Sequence, residues 1–250
     1  NIKTALIEQK YLIDDSADEI ALIKNRKLMG IKDENRLDLI IMPTLDCNFA
    51  CVYCYETLRP FTMTEDTESA IKKWLTSEIP NHKVILLHWF GGEPIMCYQR
   101  IVSITQHAID ISNKSGSSCI TNVTTNGYLL NKVSIKELTK LGISNFQITL
   151  DGPPETHNKL RVLRNGKATF SRIFGNINAL VYADERVKIS LRINFNHHNL
   201  HSIPHLLEMF PEDVRAHIRV VFEPIFGHCS LSATENLPPR EISEAMASYY

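Results

Sequence analysis

Six short runs rich in Val, Ile and Leu begin near residues 38, 84, 119, 146, 188 and 218, and stretches of helical periodicity or capping residues separate them. Helices are expected over about 64–79, 98–112, 132–141, 168–184 and 199–209. Strands joined by crossover helices pair in parallel, so this alternation predicts an α/β fold of six βα units. Ser134 and Glu137 have capping-box spacing, and Gly142 stands where that helix should stop. Residues 1–36 read as a preamble with a short helix from Ala17 to Leu28, and residues 37–250 as the α/β unit.

Period-two alternation in the later strands adds a constraint. Phe146, Ile148 and Leu150 alternate with Gln147, Thr149 and Asp151; Leu191, Ile193 and Phe195 with Ser190, Arg192, Asn194 and Asn196; Ile218, Val220 and Phe222 with Arg219, Val221 and Glu223. Each set occupies one face of its strand, and helices must cover the apolar one. A closed barrel would fill its interior with branched apolar residues. The polar set therefore fits an open or partial barrel around a hydrophilic ligand, or a sheet edge with one wet face.

The 250 residues are 44% hydrophobic and 22% charged, and 27 basic against 28 acidic residues leave a net charge of −1. No run of five like charges offers a footprint for nucleic acid or anionic lipid, so neither is expected as a partner. No apolar stretch is long enough to span a membrane and no leader opens the chain, which is expected to be cytoplasmic. It starts at Asn1 and ends in an unfinished helical pattern from Glu241 to Tyr250, as a piece of a longer protein would.

Six cysteines are too few for a disulfide scaffold, yet Cys47, Cys51 and Cys54 crowd into eight residues just after the first strand, Leu37 to Thr44. That is the carboxyl end, where parallel α/β folds carry their sites. Structural zinc would need a fourth ligand, and no cysteine or histidine stands at finger-like spacing. Iron–sulfur clusters usually take four cysteines; three leave one iron open to an external ligand. Cys97 and Cys119 read as small buried hydrophobes, and Cys229 stays open as a minor candidate. His197, His198, His201 and His205 lack a Glu partner and are interrupted by Pro204, so no metal site is expected there.

Gly91-Gly92-Glu93-Pro94 follows the second strand. Two glycines permit a sharp turn and close approach of a ligand, and Glu93 can accept a charge-assisted hydrogen bond from an ammonium. A Gly-Gly turn with a solvated Glu is the other meaning. Asn126-Gly127 closes the third strand, and Gln147 to Pro153 ends the fourth in an Asp-Gly-Pro turn, with His157 and Arg161 downstream.

Cys-x3-Cys-x2-Cys with Tyr53 before the last cysteine resembles the signature of radical S-adenosyl-L-methionine (SAM) enzymes. The resemblance implies a partial (β/α)6 barrel with a 4Fe-4S cluster on Cys47, Cys51 and Cys54, whose open iron is chelated by the amino and carboxylate groups of SAM. Gly91, Gly92 and Glu93 are then similar to the family's GGE motif, which contacts the SAM amino group. Tyr53 resembles the aromatic that packs on adenine, and Thr149 and Asn126 the residues that face SAM. Arg161, or Arg164 in its stead, would meet its carboxylate, and Arg192 and Asn194 the ribose or carboxylate. Thr149 stands where Ser is usual and keeps the hydroxyl; Asn158 stands where Asp is usual and removes a charge that would orient its neighbours.

The CNFxCxYCYE, GGEP and LDGP segments are most similar to the branch that modifies peptides or protein side chains. That branch implies reductive cleavage of SAM to methionine and a 5′-deoxyadenosyl radical, a reducing electron donor, and hydrogen abstraction from a peptide substrate, as in maturases that crosslink ribosomal peptides. Formylglycine formation by a sulfatase maturase, small-molecule chemistry, and a noncatalytic metal-binding module are the alternatives. Such maturases continue into a cysteine-rich SPASM domain; only Cys229 follows the third strand, so that domain is expected to be absent from these residues.

Overall fold

Each β-rich run forms a strand: β1 (Arg36–Ile41), β2 (Val84–Trp89), β3 (Ser118–Thr125), β4 (Asn145–Thr149), β5 (Lys188–Phe195) and β6 (Ile218–Pro224). In the computed structural model they make one sheet in sequence order, and β2 to β6 pair in parallel. β1 and β6 stay at opposite edges, so the barrel is open and the wet face is its lumen. The chain divides into two compact units, Asn1–Arg36 and Leu37–Tyr250. The structure describes residues 35–225 together with Asp18, Ile20, Ala21 and Lys24. The expected helix from Ala17 to Leu28 lies largely outside the described residues, and Cys229 and the pattern from Glu241 to Tyr250 lie wholly outside them.

The α-helices of residues 35–225 are α1 (Glu65–Glu78), α2 (Tyr98–Ser115), α3 (Lys132–Lys140), α4 (Pro154–Leu160), α5 (Phe170–Ala183), α6 (Ile203–Glu208) and α7 (Glu212–Arg215). Sequence reading misses α4 and α7, because seven and four residues are too few to show a helical period. The segment expected over 199–209 is a 3-10 turn, Leu200–Ser202, running into α6; Pro204 sits in the first turn of α6, where its missing N–H costs nothing.

The cap of α3 differs from the expected one. Asn131, not Ser134, is the N-cap: its Oδ1 accepts from Val133 N and Ser134 N at 2.9 and 3.1 Å, while Ser134 Oγ accepts from Asn131 N at 2.9 Å. Gly142, at φ +84°, ends that helix in the left-handed region. The first strand also stops earlier than Thr44, which survives as an isolated antiparallel bridge to Thr62.

The alternation sorts the two faces. Phe146, Ile148, Leu191 and Ile193 are buried in the main core, each side chain contributing about 1.5–3 kcal/mol by leaving water. Across the lumen, Gln147 of β4 lies in register with Thr124 of β3 and Ser190 of β5, and Thr149 with Arg192. The polar lining belongs to the later strands. Ile40 of β1, Met42 just beyond it, and Ile120 of β3, on the same face as Thr124, are exposed.

Candidate functional site

The cysteine segment is a loop, but a laddered one. Ala50 N donates to Val162 O at 2.9 Å, Val52 N to Leu160 O at 3.0 Å, and Arg164 N to Asn48 O at 3.1 Å, so residues 48–52 run antiparallel to the chain leaving α4. Gly91 and Gly92 close it from the other side. A Cβ on Gly91 would lie 2.3 Å from Thr44 O, and one on Gly92 2.2 Å from Asp46 O. The missing side chains admit the backbone of the cysteine loop, which Gly92 N and Glu93 N join through Thr44 O (3.2 Å) and Asp46 O (2.9 Å).

These loops border a cavity of about 420 Å³ at the carboxyl ends of the strands. Cys47, Cys51, Cys54, Tyr53, Gly91, Gly92, Asn126, Thr149, Arg161, Arg192 and Asn194 all line it. Cys47 is buried, Cys51 half-buried and Cys54 exposed. Burial pushes the Cys47 thiol up to about 11 and raises that of Cys51 as well, so neither is an ordinary surface thiol. None of the five described cysteines is in a disulfide.

Glu93 is the one expected site residue that does not face the cavity. It is fully buried, with Oε1 accepting from Ile95 N at 2.9 Å and Thr125 Oγ1 at 2.6 Å, and Oε2 from Asn126 N at 2.6 Å. Burial pushes the Glu93 carboxyl above the usual carboxylate pKa, and those three donors oppose the rise. A carboxylate accepts about four hydrogen bonds, so one acceptor position remains for a further donor.

Opposite, Tyr53 anchors a buried polar cluster. Its hydroxyl donates to Asp151 Oδ2 and accepts from Arg161 Nη1 at 2.8 Å and Asn194 Nδ2 at 3.1 Å. Asp151 Oδ1 accepts from Asn194 N at 2.8 Å. Burial pushes the pKa of the Asp151 carboxyl up against the pull of Arg161. His157, driven neutral by burial and by Arg161, accepts Asp151 N on Nδ1 at 3.2 Å and contacts Thr169 Oγ1 through Nε2 at 3.1 Å. Arg161 also lies 5.7 Å over the Phe49 ring. Arg164 instead pairs with Asp46 and is half exposed, so Arg161 is the arginine inside the cavity. Asn158 orients its neighbours without a charge: Oδ1 accepts from Thr169 N and Phe170 N at 2.9 and 3.0 Å, at the start of α5.

Sequence reasoning missed Asp151 as the centre of this cluster, because an Asp before Gly-Pro reads as a turn residue. Gln147 and Glu223 also line the cavity; their only signal was the strand alternation. Phe90 and Thr124 gave none beyond their place beside GGEP and Asn126.

The donor set bears on what the site can hold. Among the described residues no three His, Cys, Asp or Glu side chains converge as a single ion would require. Zinc needs every sulfur about 2.3 Å from one centre, whereas a cube takes each thiolate on a separate iron; thiols spread around a loop suit the cube. Two buried donors nearby, Asn48 Nδ2 and Arg161 Nε, have no partner among the described residues. Such orphans cost roughly 1–3 kcal/mol each, and an anionic cluster or a bound carboxylate would satisfy them.

Comparison with known proteins agrees with this geometry. The Radical SAM superfamily profile matches residues 41–210, and the chain belongs to that family, whose cofactors are a 4Fe-4S cluster and SAM. It is 24% identical over 203 residues to the Fe-coproporphyrin III synthase of Methanosarcina barkeri, covering 81% of this chain and 48% of that protein. It is 27% identical over 143 residues to the serine-type anaerobic sulfatase-maturating enzyme of Bacteroides thetaiotaomicron, covering 54% of this chain and 34% of that protein. The solved structure of anSMEcpe with bound AdoMet and Cp18Cys peptide superposes with a TM-score of 0.68 at 19% identity, over 86% of this chain and 58% of that one. The chain spans half or less of the length of these two curated relatives. No helix among the described residues is long and apolar enough to cross a membrane.

Proposed function

We propose that this protein reductively cleaves SAM and uses the resulting radical to modify a peptide or protein side chain, forming a crosslink as a ribosomal-peptide maturase. The observation that carries the reading is the cavity itself, which three free cysteines line together with Tyr53, Arg161 and polar side chains from β4, β5 and β6. When bound, the cluster supplies the electron that splits the sulfonium into methionine and a 5′-deoxyadenosyl radical.

The protein's own groups bind, orient and exclude water. Cys47, Cys51 and Cys54 hold the iron. Tyr53, its ring fixed by three hydrogen bonds on the hydroxyl, offers a flat surface for adenine. Arg161 Nε offers an unpaired donor for a carboxylate, and Glu93, turned away from the cavity, holds Thr125 and Asn126 at its edge. The Thr149 hydroxyl has no protein partner among the described residues and faces the cavity, as do the Arg192 guanidinium and Asn194, which bond each other at 3.0 Å. Gly91 and Gly92 keep the cysteine loop against β2. A reducing electron donor and a reducing, cytoplasmic setting complete the proposal.

The likeness to a sulfatase-maturating enzyme favours formylglycine formation as the second reading. Both are tested by incubating the anaerobically reconstituted, reduced full-length protein with SAM and candidate peptides, followed by mass spectrometry. We expect 5′-deoxyadenosine and methionine together with a peptide lighter by one pair of hydrogens. A cysteine or serine converted to an aldehyde would support the second reading instead, and iron-loaded protein that leaves SAM intact would refute both.

A further inference from the structure

The Asn126 side chain is held in one orientation from three sides. Its Oδ1 accepts from Tyr128 N at 3.0 Å, and its backbone N–H is tied to Glu93 Oε2. Asn176 clamps the next turn, with Nδ2 donating to Gly127 O and Leu130 O at 2.8 Å each. A backbone N–H can only donate, so Oδ1 must face Tyr128 and the NH2 group must face the cysteine loop. There Nδ2 donates to Asn48 Oδ1 at 2.8 Å and stands 3.8 Å from Cys47 Sγ, which also accepts from Phe49 N at 3.4 Å. Asn126 is only 6% exposed.

We propose that Asn126 acts on the iron–sulfur centre as a positioning residue, its side-chain amide donating to Cys47 Sγ and so setting the reduction potential of the cluster held there. The inference rests on the assignment of Cys47 as a cluster ligand. Donors aimed at a cluster sulfur stabilise the more negative, reduced state and raise the potential, and in a buried site such a dipole is weakly screened. The Asn-Gly turn does not need this donor. Gly127 supplies the positive φ, +76°, and the bond from Tyr128 N uses only the oxygen. An Asp at 126 would keep that oxygen and lose both N–H groups, separating the turn from the contact to sulfur.

The test is an electron-paramagnetic-resonance redox titration of anaerobically reconstituted full-length protein, alongside Asn126→Asp and Asn126→Ala, with iron and sulfide measured in each. Both variants should have a more negative midpoint than the parent at equal iron content, with Asn126→Asp shifted further by its added charge. Parent protein labelled with nitrogen-15 asparagine should show an amide-nitrogen hyperfine coupling on the reduced cluster that Asn126→Ala lacks. An unchanged midpoint at full iron loading overturns the inference, as does the absence of any amide coupling in the parent. Should the variants fail to load iron, the parent's coupling decides alone. A parent that binds no iron overturns the assignment of Cys47 and this inference together, whereas an unchanged midpoint overturns only the latter.

Discussion

Glu93 and Thr149 stand at the carboxyl ends of the strands, yet the side chain of the first is bonded three times and the hydroxyl of the second has no partner among the described residues. Replacing Glu93 with Ala leaves Ile95 N, Thr125 Oγ1 and Asn126 N buried without an acceptor, at roughly 1–3 kcal/mol per orphaned group. Glu93→Ala should therefore lower urea stability and SAM affinity together. Thr149→Val keeps the shape and removes only a hydroxyl aimed at the cavity. It should weaken SAM binding by about threefold to tenfold and leave the unfolding free energy within about 0.5 kcal/mol of the parent's. Calorimetric binding and urea unfolding on both variants separate the two roles; equal stability losses would contradict the assignment of Thr149. The sequence marks both positions through GGEP and the strand alternation. It could not reveal that Glu93 turns inward, because that depends on Thr125 and Asn126 arriving from a different strand.

Between α1 and α2, Glu68 accepts from Lys72 at 2.7 Å, Ser103 at 2.6 Å and Arg100. Burial works against the charged form, but these partners hold the carboxyl down to about 2 from its ordinary 4.5. A lowered carboxylate stabilises the fold fully above its unfolded value, and the contribution disappears as pH falls toward the folded value. Urea stability should therefore fall across pH 4.5 to about 2, and Glu68→Gln should flatten that part of the profile. A profile unchanged by the substitution would show that Glu68 does not join the helices. Element positions were largely legible: every strand and the longer helices follow from periodicity. α4 was not, because its seven residues begin at a Pro-Pro pair and owe their helix to the tertiary roles of His157 and Arg161.

At the scale of the whole molecule the barrel stays open, and the site is assembled from loops and strand ends along its full width. A ligand touching the cysteine loop, the GGEP turn, Asn126, β4 and β5 adds to the hydrogen bonds that already join these elements across the strand ends. A ligand that binds only the folded form at a hundred times its dissociation constant adds about 2.7 kcal/mol. SAM added to the iron-loaded full-length protein should raise its thermal midpoint and slow amide exchange in residues 44–54 and 91–97. No change in either, at concentrations where SAM is cleaved, would contradict the site described.

Order of elements, two-faced strands and the chemistry of a three-cysteine loop were set by the sequence alone, because hydrophobic period and residue type act locally and survive without knowledge of neighbours. Tertiary structure alone decided which arginine lies in the cavity, that Asp151 and Tyr53 form one cluster although 98 residues apart, and that the two glycines admit a backbone. Those outcomes turn on angstrom-scale contacts between segments far apart in the chain, where burial makes each unpaired polar group costly and leaves few arrangements that satisfy them all.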